Sequence, residues 1–141
     1  MDLFLRHALS LLHTPYLWGG ESPLTGFDCS GYAKYCLRVG GYTFKEDLTA
    51  QGLHDFFQTN GMQPGYRPGS LWFFGPAVNQ INHVAVLLDP YRLISAAGGD
   101  PTTTTIEGAK KRGACVRIDP VRYWKEPVAR IFPNYATIGV S

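Results

Sequence analysis

Few residues in this chain are equipped for covalent chemistry. Cys29 stands in Phe27-Asp28-Cys29-Ser30-Gly31-Tyr32, just after Pro15-Tyr16-Leu17-Trp18-Gly19-Gly20, a stretch too rich in rings and glycine to be helix. From Tyr32 to Val39 the apolar residues fall at helical spacing, and Gly40-Gly41 stop the run. The spacing predicts that Cys29 lies on the first turn of a helix. Unpaired N–H groups and the positive end of the helix dipole there favour a thiolate, so a reactive cysteine with a lowered pKa is expected.

Such a nucleophile needs a base, and of the four histidines only one is well placed. His83 opens Asn82-His83-Val84-Ala85-Val86-Leu87-Leu88, the most apolar strand-like run, and shares a face with Ala85 and Leu87. An imidazole there can take the thiol proton and return it to a leaving amine. His7 and His13 fall on a first helix and His54 on a third, as surface or partly packed residues. The competing reading of His83 is a strand-end residue satisfied by a backbone carbonyl.

Three cysteines, Cys29, Cys36 and Cys115, make an odd number without paired spacing. That argues against a disulfide framework and against a zinc site, and it reads Cys36 and Cys115 as small buried apolar residues. No metal or cofactor is implied. The 141 residues, 45% hydrophobic and 17% charged, suit one ordinary domain spanning residues 1–141. Thirteen basic and eleven acidic residues are scattered along the chain for a net charge of +2, which points to neither a nucleic-acid nor a membrane-surface partner. The N-terminal run is broken by Arg6 and His7 and shows no signal peptide, and no window is apolar enough to span a membrane.

The elements that must position the pair follow from the same patterns. Helices are expected over about 2–13, 28–39 and 49–59, the second apolar almost all round and therefore central. A loop over 14–27 brings Tyr16 and Trp18 beside Cys29. Strands are expected over 70–74, 82–88, 91–97, 114–119 and 128–132, the second and third forming a hairpin. Residues 98–113 read as one long loop with a solvated Lys-Lys-Arg patch, and 133–141 as a tail. Helices first and antiparallel strands afterwards make an α+β fold, with the Cys29 helix packed on a sheet of about five strands.

Four blocks taken together, Pro15 to Gly20, Phe27 to Tyr32, Pro68-Gly69-Ser70-Leu71-Trp72-Phe73-Phe74 and His83-Val84-Ala85-Val86, resemble the NlpC-type, papain-like cysteine peptidases that cut bacterial cell-wall peptides. The resemblance covers about residues 3–97. It implies a papain-like fold, Cys29 as nucleophile and His83 as base. It also implies that Tyr16, Asp28 and Ser30 line the pocket where relatives hold the ammonium group of an N-terminal L-alanine, with the Cys29 N–H and the Tyr16 hydroxyl near the oxyanion. Asp28 as a helix cap and Tyr16 as a packed ring are compatible local roles.

One position departs from the family. Its members usually carry a third polar residue, most often histidine, on the strand after the catalytic histidine, and the hairpin alignment puts Ser95 there. Ser95, a backbone carbonyl or a residue such as Asp100 then orients His83, or the pair works as a dyad. The resemblance implies a peptidoglycan stem-peptide endopeptidase cutting between γ-D-glutamyl and a diamino acid. An amidase or acyltransferase on the same dyad, and an inactive wall-binding or phage-tail module, are the alternatives. With no export signal in view, the expected route to the cell wall is phage lysis or a phage tail, a specialised secretion carrier, or an export sequence lying outside this stretch.

Overall fold

The computed structural model describes residues 2–135. In chain order the elements are α1 (Leu3–Ser10), a two-stranded ribbon of β1 (Glu21–Ser22) and β2 (Gly26–Phe27), then α2 (Cys29–Val39) and α3 (Ala50–Thr59). There follow β3 (Gly61–Met62), β4 (Leu71–Phe74), β5 (His83–Asp89), β6 (Arg92–Ala97), α4 (Ile106–Arg112), β7 (Cys115–Pro120), a 3-10 turn over Val121–Tyr123, and β8 (Ala129–Pro133). This is the α+β arrangement expected of helices preceding antiparallel strands.

The main sheet has the order β3-β8-β4-β5-β6-β7, and each neighbouring pair is antiparallel. Its five long strands are those read from the sequence, and the short β3 adds a sixth at the edge. Alternation along the strands divides the sheet's side chains between two clusters. Phe73, Val84, Val86, Ile94 and Ile131 are fully buried on the face that receives the helices, against Phe4, Tyr32, Leu37 and Phe57. Each side chain of this size removed from water contributes roughly 1.5–3 kcal/mol. Trp72, Phe74, Ala85, Leu87 and Leu93 form a smaller cluster on the other face, closed by Val121 and Trp124. Helix α2 lies against β5 and β6 at the centre of the sheet, as its nearly all-round apolar character requires.

Several boundaries differ from the sequence reading. Helix α1 stops at Ser10, short of 13, and His13 adopts a left-handed φ of 74°. The His13 N–H donates to the Val116 carbonyl at 2.8 Å, so a tie to β7 replaces the last helical turn. Leu3, the first residue of this helix, is 51% exposed, whereas Phe4 and Ala8 are buried. The loop expected over 98–113 contains α4, capped by the Thr105 side chain, which accepts from the Gly108 N–H at 3.0 Å, and stopped at Gly113. Only Ala109 of this helix is buried, so its apolar stripe is too thin to register as periodicity. Cys36 is buried as expected, whereas Cys115 is half-buried.

Candidate active site

The start of α2 is fixed by backbone groups converging on one carboxylate. Asp28 Oδ1 accepts from the Gly31 N–H at 2.7 Å and from the Ser30 hydroxyl at 3.3 Å, and Oδ2 accepts from the Gly19 N–H at 3.0 Å. Asp28 is thus the helix cap and ties the Trp18-Gly19-Gly20 turn to α2. Its own N–H donates to the Gly20 carbonyl at 3.1 Å. The approach there is so close that a Cβ on Gly31 would meet the Gly20 oxygen at 1.9 Å, which explains a glycine two residues after the cysteine.

Cys29 is half-buried on this first turn. Its sulfur lies 3.9 Å from the carbonyl oxygen of Asn82, the residue before His83, so the helix start meets the rim of the sheet. The thiol does not have the lowered pKa expected from the helix end. Burial pushes it up to about 11, and the Asp28 charge adds to the rise, while hydrogen bonds from the backbone N–H groups of Val84, Ser30 and Cys29 itself pull the other way. The helix-end effect has the expected sign, and desolvation outweighs it.

His83 sits on the smaller-cluster face at the start of β5. Its Nε2 is 3.2 Å from Ser95 Oγ on β6, and Ser95 is only 1% exposed. With the proton on Nε2 the ring donates to the serine and leaves the Nδ1 lone pair free. The imidazole also stacks on Trp124, centroids 4.2 Å apart and planes at 17°. Trp124 is held in turn by Phe74 at 5.3 Å and Tyr123 at 5.4 Å. Burial, followed by the positive charge of Arg117, lowers the His83 pKa to about 3. Cys29 and His83 therefore rest as neutral thiol and neutral imidazole.

Of the candidates for orienting the imidazole, the structure brings Ser95 to it and not Asp100. The Asp100 carboxylate is engaged by the Thr102 N–H at 2.8 Å, the Thr102 hydroxyl at 2.6 Å and Arg112 Nη1 at 2.9 Å. These partners hold its pKa down at about 2. Of the other histidines, His54 is buried beside Asp55, His7 stacks on Tyr35, and His13 lies beyond the end of α1.

Cys29 is the meeting point of two cavities. One runs past Asp28, Ser30, Asp47 and Thr49. The other contains His83 and continues past Gly99, Arg112, Arg117 and Trp124. Tyr16 and Trp18 border both. The Tyr16 ring is 5% exposed and packs so tightly on Gly99 that a Cβ there would come within 2.2 Å of it. Its pKa is raised, first by burial and then by Cys29, Asp28 and Asp100, so the phenol keeps its proton and is a donor on the walls it shares with Cys29. Tyr16, Asp28, Cys29, Ser30 and His83 thus line two adjoining cavities, with Ser95 buried behind His83. Sequence reasoning missed Trp124 and Arg112. The tryptophan gave no signal, because its role depends on tertiary stacking, and Arg112 was merged with Lys110 and Lys111 into a solvated patch. Both lysines are exposed, while Arg112 lines the groove.

The bifunctional muramidase/DL-endopeptidase CwlT of Bacillus subtilis is 32% identical over 101 residues, covering 68% of this chain and 30% of that protein. The probable endopeptidase p60 of Listeria monocytogenes is 32% identical over 105 residues, covering 74% and 21%. The chain thus spans less than a third of the curated relatives it matches. The NlpC/p60 domain of the peptidoglycan hydrolase SagA superposes with a TM-score of 0.63 at 26% identity, covering 92% of this chain and 95% of the other. RipD of Mycobacterium tuberculosis, described as a non-catalytic NlpC/p60 domain protein adapted to peptidoglycan binding, shares the fold with a TM-score of 0.66 at 19% identity, covering 92% and 93%. The sequence model of the NlpC/P60 family matches residues 13–128, most of the chain and all of the groove, and the chain belongs to that family.

Proposed function

We propose that this chain is a peptidoglycan stem-peptide hydrolase, a cysteine endopeptidase acting through Cys29 and His83 at a γ-D-glutamyl to diamino-acid bond. The observation that carries the reading is the convergence of the Cys29 sulfur and the His83 ring on one open groove, with Nε2 of that ring turned to Ser95. The relatives named endopeptidases and the peptidoglycan hydrolase SagA support the substrate class.

The resting protonation states set the order of events. A thiol near 11 that shares a cavity with an imidazole near 3 does not ionise before substrate arrives. Proton transfer from Sγ to Nδ1 therefore accompanies attack on the amide carbonyl, and the imidazolium is stabilised as the neighbouring oxyanion develops. The Cys29 N–H at the helix start and the Tyr16 hydroxyl are the donors for that oxyanion. Nδ1 then returns its proton to the leaving amine, and water releases the acyl group from the sulfur. The Asp28 carboxylate, partnered by Ser30, holds the substrate ammonium at the acidic end of the groove. Delivery to the wall by a phage-tail or secretion carrier belongs to the same proposal, as does a single peptidase domain over residues 1–141.

Incubating the protein with defined muropeptides and following products by mass spectrometry tests this. A free L-alanyl-D-glutamyl product, absent with Cys29→Ala, is expected. Transfer of the acyl group to a second amine would favour an acyltransferase, and binding without turnover would favour a wall-binding module of the kind RipD is described as.

A further inference from the structure

The two cavities that meet at Cys29 differ in charge. Asp28 and Asp47 lie along one, whereas Arg112 and Arg117 lie along the other with Asp100. We infer that Arg112 and Arg117 form a subsite for a carboxylate of the bound peptide, so that the groove reads an anionic group on the opposite side of the sulfur from its ammonium pocket. The inference rests on the proposed peptide substrate and adds a recognition element to it.

Both guanidinium groups are held in place without being used up. Arg112 Nε donates to the Gly98 carbonyl at 3.1 Å and Nη1 to Asp100 Oδ2 at 2.9 Å. Arg117 stands opposite Ser95 in the β6–β7 register, with Nε on Asp119 Oδ2 at 3.1 Å, Nη2 on the Tyr123 hydroxyl at 3.2 Å and Nη1 near the Gly113 carbonyl at 3.5 Å. A guanidinium carries about five N–H donors, so each retains hydrogens for a further acceptor among the described residues. Each guanidinium already faces one carboxylate, Arg112 that of Asp100 and Arg117 that of Asp119, so the subsite offers the N–H donors left over rather than an unpaired charge. Arg117 and His83 line the same cavity, so a carboxylate held by the guanidinium lies near the imidazole. A planar carboxylate matches the fork of a guanidinium, which is why the pair of arginines suits such a group.

The test separates binding from turnover. Cys29→Ala protein is titrated, by calorimetry, with L-alanyl-γ-D-glutamyl-diaminopimelate and with two amidated forms, one at the glutamyl α-carboxylate and one at the diamino-acid carboxylates. One amidation is expected to weaken binding roughly tenfold to hundredfold, the scale of a charged hydrogen bond, and it identifies which carboxylate is read. Arg117→Gln in the same background should weaken the acid form to that level and leave the amidated form unchanged. Arg117→Lys should recover part of the loss. The exposed Arg112→Gln provides the same comparison if Arg117→Gln does not fold.

Equal affinity for all three peptides, equal loss on acid and amide forms, or no binding of any of them would overturn the subsite. Discrimination by Cys29→Ala with no cleavage by the unsubstituted protein would instead leave the subsite standing and remove the hydrolase reading.

Discussion

The two sides of the groove hold their key residues by different means. On the side of the proposed nucleophile, Cys29 is placed mainly by main-chain geometry: two backbone N–H groups and the Ser30 hydroxyl donate to the Asp28 carboxylate, and Gly31 sits against Gly20 with no room for a side chain. On the side of the proposed base, the His83 ring is held by side chains: one neutral hydroxyl, one indole face and, less closely, the Phe74 ring at 6.0 Å. A sulfur needs its position fixed, and a helix terminus supplies that many times over. An imidazole needs its ring plane and tautomer fixed as well, and here those tasks are divided between Trp124 and Ser95.

The comparison breaks most completely at the reacting atoms. His83→Ala is expected to reduce turnover of muropeptides to background while the far-ultraviolet circular dichroism stays unchanged. His83 also bears on stability, because burial holds its pKa at about 3 against 6.5 in an unfolded chain. Between those values the unfolded state binds the extra proton, so stability is full above pH 6.5 and falls as pH drops toward 3. His83→Gln should flatten that decline in urea titrations at pH 4–6. Part of the slope will remain through His7, whose pKa burial also lowers.

Next in size is the carboxylate on which the nucleophile side depends. Asp28→Ala removes the α2 cap and the tie to Gly19, and a loss of about 2 kcal/mol is expected in urea unfolding. If the nucleophile side were not built on main-chain contacts, the loss would fall within the scatter of ordinary surface substitutions.

How much of this was readable beforehand follows from where each signal resides. The α2 start was legible because a change from glycine and rings to 3.6-residue periodicity is local. The His83–Ser95 contact was legible from the hairpin only to within a residue, because a bulge between Leu87 and Asp89 shifts the register: Asp89 opposes Arg92, whereas Leu87 opposes Leu93 and Val86 opposes Ile94, and that shifted alignment carries Ser95 toward the start of β5. Helix α4 was not, since the threonines before it and the cationic run within it resemble a solvated loop. Thr105 and Gly113, at capping distance with basic residues in the last turn, were the available sign. The Cys29 pKa was misjudged because a sequence displays the helix end but not the depth at which it is buried. Trp124 follows a 3-10 turn forty-one residues after His83, and nothing local marks it as the surface on which that ring lies.

The base side can be taken apart one restraint at a time. Trp124→Ala removes the stacked face, and since aromatic pairs contribute about 0.5–1.5 kcal/mol, a fall in kcat approaching about tenfold is expected with KM little changed. Trp124→Phe should return most of it. Ser95→Ala is expected to cost less, roughly threefold in kcat, because a neutral hydrogen bond at 3.2 Å is weak and the indole still holds the ring plane. The two restraints act on one ring, so the double variant should lose more than the product of the separate losses. Measuring kcat for the four proteins decides it: independent effects would show that Ser95 and Trp124 do not share the task of orienting His83, and that the base is held by something other than these two side chains.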